Sequence, residues 1–219
     1  MEIVEIRNRL ATLGTANLAD TNKQLRVMDS EIRPVRSGLR MIGYAHTVKC
    51  KDDFLTVLKA LHDSVSGEVL VVETCNSRAA VAGEIFSVEA ARRGLSGIVI
   101  DGACRDTATI RTLSIPVYSR SVIPSSGTSS RIFETQVPIT CGGVAVDPGN
   151  VIFGDDDGVV VAAKAELQEL LETAEEIQLK EELILRNLGE GKCLFDMLNF
   201  DEHYRDVSLG KESKLRFNV

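Results

Sequence analysis

Between Gly67 and Ser119 the sequence alternates short apolar runs with helix-like segments, and this alternation restricts the fold more than any other feature. "GEVLVVE" (67–73), "GIVID" (97–101) and "IPVYS" (115–119) read as buried strands. Between the first two, helical spacing predicts a helix from about Ala79 to Arg93, closed by Gly94 at its C-terminus. Between the second and third, "RDTATIRTL" reads as a shorter helix. Strands separated by helices cannot be joined by tight hairpins. They pair in parallel, at least in part, inside an α/β fold.

The flanks extend this pattern. Ile3, Val4, Ile6, Leu10 and Leu13 lie at helical intervals up to Gly14, and "TANLADT" predicts a second short helix capped by Thr15. "GLRMIGYAHTVKC" (38–50) reads as a strand, and "DDFLTVLKALHD" as a helix capped by Asp52 or Asp53. After Pro124 comes a polar loop, "PSSGTSSR", then several short strands with turns at Pro148-Gly149 and Asp157-Gly158. A long amphipathic helix is expected over Lys164–Leu188, followed by an irregular polar tail. The expected architecture is one mixed α/β domain over 1–190 with a C-terminal extension over 191–219.

At 219 residues and 44% hydrophobic content, the chain can bury a full core. A formal charge of −7 with no Lys/Arg-rich run argues against nucleic acid as the main ligand, because phosphates would meet an acidic field. The five cysteines (Cys50, Cys75, Cys104, Cys141, Cys193) form no C-x-x-C pair and no zinc spacing, so reduced, mostly buried thiols are expected. "MEIVEIRNRLATLG" is not a signal peptide, and no apolar run approaches a membrane span. These features predict a soluble, cytoplasmic protein with no membrane partner.

The candidate site lies in "GEIFSVEAARRGLSGIVIDGACRD", from Gly83 to Asp106. Arg105 and Asp106 lie just past the C-terminal end of the expected strand, where open α/β sheets tend to place ligand sites. A guanidinium fork matches a carboxylate, and an aspartate can hold a hard divalent cation through oxygen. Glu84 could add a second carboxylate. Together they suit a 2-oxo acid whose ketone is polarised while the neighbouring C–C bond breaks. From spacing alone an ordinary Arg–Asp ion pair beside an exposed helix glutamate is the better reading, because Arg-Asp dipeptides are common. Cys104 would need a neighbouring base to act as a nucleophile. Lys49 is the candidate for Schiff-base aldol chemistry, against a charged strand end. "GDDDGVVV" (154–161) reads as a hairpin turn rather than a cation loop.

Glu84, twenty intervening residues and Arg105-Asp106 form a pattern that resembles the RraA-like family. The blocks "GEVLVVE", "AAVAGEI", "GLSGIVIDGACRD", "IPVYSR" and "GGVAVDPGNVIFGDDDGVVV" carry the same resemblance over roughly residues 10–190. The family includes class II 4-hydroxy-4-methyl-2-oxoglutarate aldolases and protein regulators of an RNA-processing endonuclease. The resemblance implies a β-β-α sandwich similar to phosphohistidine swivelling domains, assembled as a homotrimer or a dimer of trimers. It implies that Asp106 and Glu84 hold Mg²⁺ or Mn²⁺, and that Arg105 binds the pyruvyl carboxylate. It also implies that Gly83 and the backbone N–H groups of Ile85 and Phe86 meet the substrate. Two positions depart from the pattern. Thr109 stands where one version of the signature has an acid, and Phe54 where many relatives carry Asn.

Overall fold

A computed structural model describes residues 2–218. In chain order its elements are α1 (Ile3–Leu10), α2 (Thr15–Thr21), β1 (Arg26–Val27), β2 (Arg33–Pro34), β3 (Met41–Lys49) and α3 (Leu55–Asp63). Next come β4 (Glu68–Glu73), α4 (Glu84–Arg92), β5 (Gly97–Cys104), α5 (Thr107–Ile110) and β6 (Val117–Val122). The remainder is β7 (Ile139–Cys141), β8 (Val144–Val146), β9 (Val151–Asp155), β10 (Gly158–Ala162), α6 (Lys164–Gly189), a 3₁₀ turn (Leu194–Met197) and α7 (Phe200–Ser208). Two compact units divide the chain, Met1–Leu171 and Glu172–Val219, so the division falls within α6. No helix among the described residues is long and apolar enough to cross a membrane.

In the first unit an eight-stranded mixed sheet runs β1-β10-β9-β3-β4-β5-β6-β2. Its centre, β3-β4-β5-β6, is parallel, and the other pairings are antiparallel. Both faces of the centre are covered. Ile98 and Ile100 point with Val48, Leu70 and Val72 into one core, which includes Val57 and Leu61 of α3 and Ala90 of α4. Val69, Val71 and Val99 point the other way, toward Ile139 and Cys141 of β7 and Val146 of β8. This two-sided burial explains why β4 reads as an unbroken apolar run. Each fully buried aliphatic side chain contributes about 1.5–3 kcal/mol. The layers are therefore helices, central sheet and a small two-stranded sheet.

Three local expectations are corrected. α4 begins at Glu84, not Ala79, because residues 80–82 are drawn out as an edge segment. Ala80 bridges to Ser126 and Ala82 to Cys104, and the Arg105 amide donates to the Ala82 carbonyl at 3.2 Å. Alanine-rich "AAVA" looks helical in isolation, but these tertiary bonds hold it extended. Thr15 opens α2 rather than capping it; its N–H and Oγ1 donate to Asp155 at 2.8 and 2.7 Å, while Gly14 is the cap residue. In the second unit the expected tail holds α7, with Asp201 and Glu202 in its first turn and Arg205 in its last. Those charges complement the helix dipole, and Phe200 and Tyr204 touch at i,i+4 with ring centroids 5.8 Å apart.

Candidate active site

The C-terminal end of β5 delivers Arg105 and Asp106 to the surface beside the start of α4. Asp106 sits in the left-handed region (φ 58°, ψ 37°), which turns the chain sharply from strand to α5. Aspartate tolerates this conformation better than most residues. The turn brings its carboxylate back against α4, where the Glu84 amide donates to Oδ2 at 3.4 Å. Arg105 Nε lies 3.3 Å from the same oxygen. The two terminal guanidinium nitrogens of Arg105 donate to no described residue, and Oδ1 of Asp106 accepts from none. Both are half-exposed, at 39% and 36%.

Gly83 makes this approach possible. A Cβ there would stand 2.5 Å from Asp106 Oδ2 and 2.9 Å from Arg105 Cγ, closer than real contacts allow. Past Gly83, the first α4 amides lack intrahelical partners, as at every helix start. The Glu84 N–H is used by Asp106, whereas those of Ile85 and Phe86 donate to no described residue. They remain available to an anionic group at the positive end of the helix.

These groups line a hollow of about 170 Å³ that also contains Phe54, Ala80, Val81, Ala82 and Ser126. Larger hollows are chemically poorer. In one of about 350 Å³, Arg7 donates to the Ile42 and Gly67 carbonyls and Arg40 to those of Leu10 and Leu13. In another of about 560 Å³, Lys59 and His62 pair with Asp63.

The structure thus brings together Gly83, Ile85, Phe86, Arg105 and Asp106. It turns the Glu84 carboxylate elsewhere: Oε2 accepts from Thr109 Oγ1 at 2.5 Å, and Glu84 lines a neighbouring hollow with Val88 and Thr109. Glu84 therefore reaches Asp106 through its backbone rather than its side chain. No cluster of three or more His, Cys, Asp or Glu capable of holding a metal occurs among the described residues. The donor chemistry still fits Mg²⁺ or Mn²⁺ at Asp106, because a hard cation is often held by one carboxylate with water completing its shell.

The other candidates separate from this site. Cys104 is fully buried, its Sγ 3.2 Å from Ser119 Oγ, and burial pushes its thiol up, away from the reactive thiolate. Lys49 pairs with Glu73 at 3.7 Å at its strand end and does not line the Arg105 hollow. "GDDDGVVV" forms the β9–β10 hairpin, with Asp155 paired to Gly158.

One residue with a larger part than sequence suggested is Asp53. It is fully buried and accepts from Thr128 Oγ1 at 2.6 Å, from the amides of Ser130 and Arg131 at 2.7 and 3.0 Å, and from Leu55 at 2.9 Å. It therefore holds the first amide of α3, whose cap residue is Phe54 rather than the expected Asp52 or Asp53, and it also pins the loop that carries Ser126 into the hollow. Only its place at the start of α3 was legible; the loop partners lie some 75 residues away. Burial pushes the Asp53 carboxyl up, but the hydrogen bonds together outweigh it and hold the group down to about 2. Because the folded value lies below the unfolded value of about 3.9, its stabilisation is complete above that value and is lost as pH falls through about 2. Asp53→Asn is expected to destabilise the fold by about 1–3 kcal/mol at pH 7. Denaturant titrations should show the gap from wild type narrowing as pH drops from 4 toward 2; a constant gap would contradict this account.

The mixed α/β sheet thus places a guanidinium, a carboxylate and a helix N-terminus around one hollow, a set of groups whose chemistry suits a small anionic ligand. The RraA-like family model, described as Aldolase/RraA, matches residues 15–161, and the chain belongs to this family. A relative from Halalkalibacterium halodurans, named as a putative 4-hydroxy-4-methyl-2-oxoglutarate aldolase, is 32% identical and covers 85% of this chain and 90% of its own. The solved RNA-processing inhibitor RraA from Thermus thermophilis is 27% identical, with a TM-score of 0.64 over 68% of this chain and 92% of its own. An unusual member of the RNase ES inhibitor RraA family from Streptomyces coelicolor is also 27% identical. Its TM-score is 0.73 over 82% of this chain and 96% of its own.

Proposed function

We propose that the chain is a cytoplasmic, metal-dependent carbon–carbon lyase for 2-oxo acids. It cleaves 4-hydroxy-2-oxo acids by retro-aldol chemistry, or decarboxylates oxaloacetate, and releases pyruvate. The observation that carries this reading is the uncommitted Arg105 fork in one hollow with Asp106 and the start of α4. Arg105 takes the 2-oxo acid carboxylate through its two terminal nitrogens. The Ile85 and Phe86 amides offer hydrogen bonds to negative charge that grows during the reaction. Asp106 holds the Mg²⁺ or Mn²⁺ ion, which when bound supplies Lewis acidity to the ketone oxygen. In the retro-aldol direction the C4 hydroxyl gives its proton to water and the C3–C4 bond breaks. Its electron pair stays with the pyruvyl fragment, and a solvent proton at C3 completes pyruvate. The family resemblance adds a homotrimer or dimer of trimers, and kinship of the sandwich with phosphohistidine swivelling domains, to the same proposal.

Pyruvate release from oxaloacetate and from a 4-hydroxy-2-oxo acid tests it. Turnover is expected with Mg²⁺ or Mn²⁺ and should fall to background in EDTA; full turnover in EDTA rejects the metal-dependent route. A second reading, a non-catalytic regulator of an RNA-processing endonuclease, is favoured by the two similar RraA structures. Inhibition of a purified endonuclease, with no pyruvate formed in any metal, selects that reading.

A further inference from the structure

We propose that Phe54 and Phe86 make this site selective for 4-hydroxy-2-oxo monocarboxylic acids whose C4 substituent is apolar. The inference rests on the lyase reading and adds a substrate class to it. Phe54 and Phe86 meet edge to face, with ring centroids 5.8 Å apart and planes at 81°, and both line the hollow that contains Arg105. Ile85, 73% exposed, extends this apolar wall, and Ala80, Val81 and Ala82 complete it. Arg105 is the only cationic side chain among the described residues lining the hollow, and Asp106 the only other charged one.

That inventory decides between substrate classes. An oxoglutarate derivative, such as the substrate for which the Halalkalibacterium halodurans relative is named, carries two carboxylates. With Arg105 holding the one beside the ketone, the second would find no further cationic side chain among the described residues lining the hollow. A carboxylate removed from water without a partner is strongly disfavoured. An alkyl or phenyl group in the same place keeps water off the wall, and each methylene accommodated is worth about 10–200-fold in specificity. The reaction is redox-neutral. R–CH(OH)–CH₂–CO–COO⁻ loses the C3–C4 bond to give R–CHO and pyruvate, the hydroxyl proton leaving and one solvent proton arriving at C3.

The experiment compares kcat/KM for 4-hydroxy-2-oxo acids bearing a propyl or phenyl group at C4 with that for 4-hydroxy-4-methyl-2-oxoglutarate, in Mg²⁺. Exchange of pyruvate methyl protons in deuterium oxide is followed separately, because it requires the lyase chemistry but no C4 group. The expected result is exchange together with at least about a tenfold preference for the apolar substrates. Phe54→Leu should keep that preference, whereas Phe54→Arg should reverse it in favour of the dicarboxylate. Exchange with equal or better use of the dicarboxylate by wild type overturns the selectivity and leaves the lyase reading standing. Neither exchange nor cleavage overturns both. If Phe54→Arg does not fold, the wild-type ratio decides alone.

Discussion

Asp106→Asn is expected to lower kcat/KM for pyruvate release by about a thousandfold while leaving the unfolding midpoint nearly unchanged. Asp106 supplies the only acidic side chain among the described residues lining the hollow. Asparagine keeps its shape and tolerates the left-handed backbone at φ 58°. It removes the charge that a divalent cation needs and weakens the anchor against which Arg105 Nε and the Glu84 amide rest. Asp106→Ala should lose activity equally and add about 1 kcal/mol of instability, because alanine gains nothing in that conformation. Coupled detection of pyruvate alongside chemical denaturation separates the two effects. Wild-type turnover in Asp106→Asn would remove the carboxylate from the mechanism.

The second large effect is expected from Gly83→Ala. Gly83 has extended backbone (φ −157°, ψ −153°), and its role is spatial: an added methyl would overlap Asp106 Oδ2 at 2.5 Å and Arg105 Cγ at 2.9 Å. Both side chains lie at the protein surface and can move aside, so the fold should survive. The site should not, since a displacement of about 1 Å can cost about a hundredfold in rate. The expected signature is kcat/KM reduced by that factor with a near-normal circular dichroism spectrum and unfolding curve. Unaltered kinetics would show that the carboxylate's close approach to α4 is dispensable.

How much of this was legible in sequence depended on the range of the deciding interactions. β4 and the first part of β5 were visible because both their faces are buried, which leaves an apolar run; β5 continues past Asp101 to Cys104, beyond the expected strand. The β9–β10 turn was visible because Asp157-Gly158 carries its own conformational preference. β1 and β2 were not, since two-residue strands such as Arg26–Val27 have no periodicity to detect and exist through their partners. The start of α4 was misplaced because hydrogen bonds from the β5 end and the 125–127 loop hold residues 80–82 extended. The site divides in the same way. The position of Arg105 and Asp106 beyond a buried strand was legible from the apolar run before them, while their choice as candidates came from the family resemblance. The orientation of the Glu84 carboxylate depends on a hydroxyl 25 positions away, and the loop-fastening part of Asp53 on groups farther still.

The bond between Thr109 and Glu84 has a bearing on how such sites diversify. One form of the signature carries its second acid where Thr109 stands here, and the other where Glu84 stands. Two ionised carboxylates placed 2.5 Å apart would force one to retain a proton. The neutral hydroxyl of Thr109 spares the Glu84 carboxylate that repulsion, and an acid introduced at position 109 would restore it.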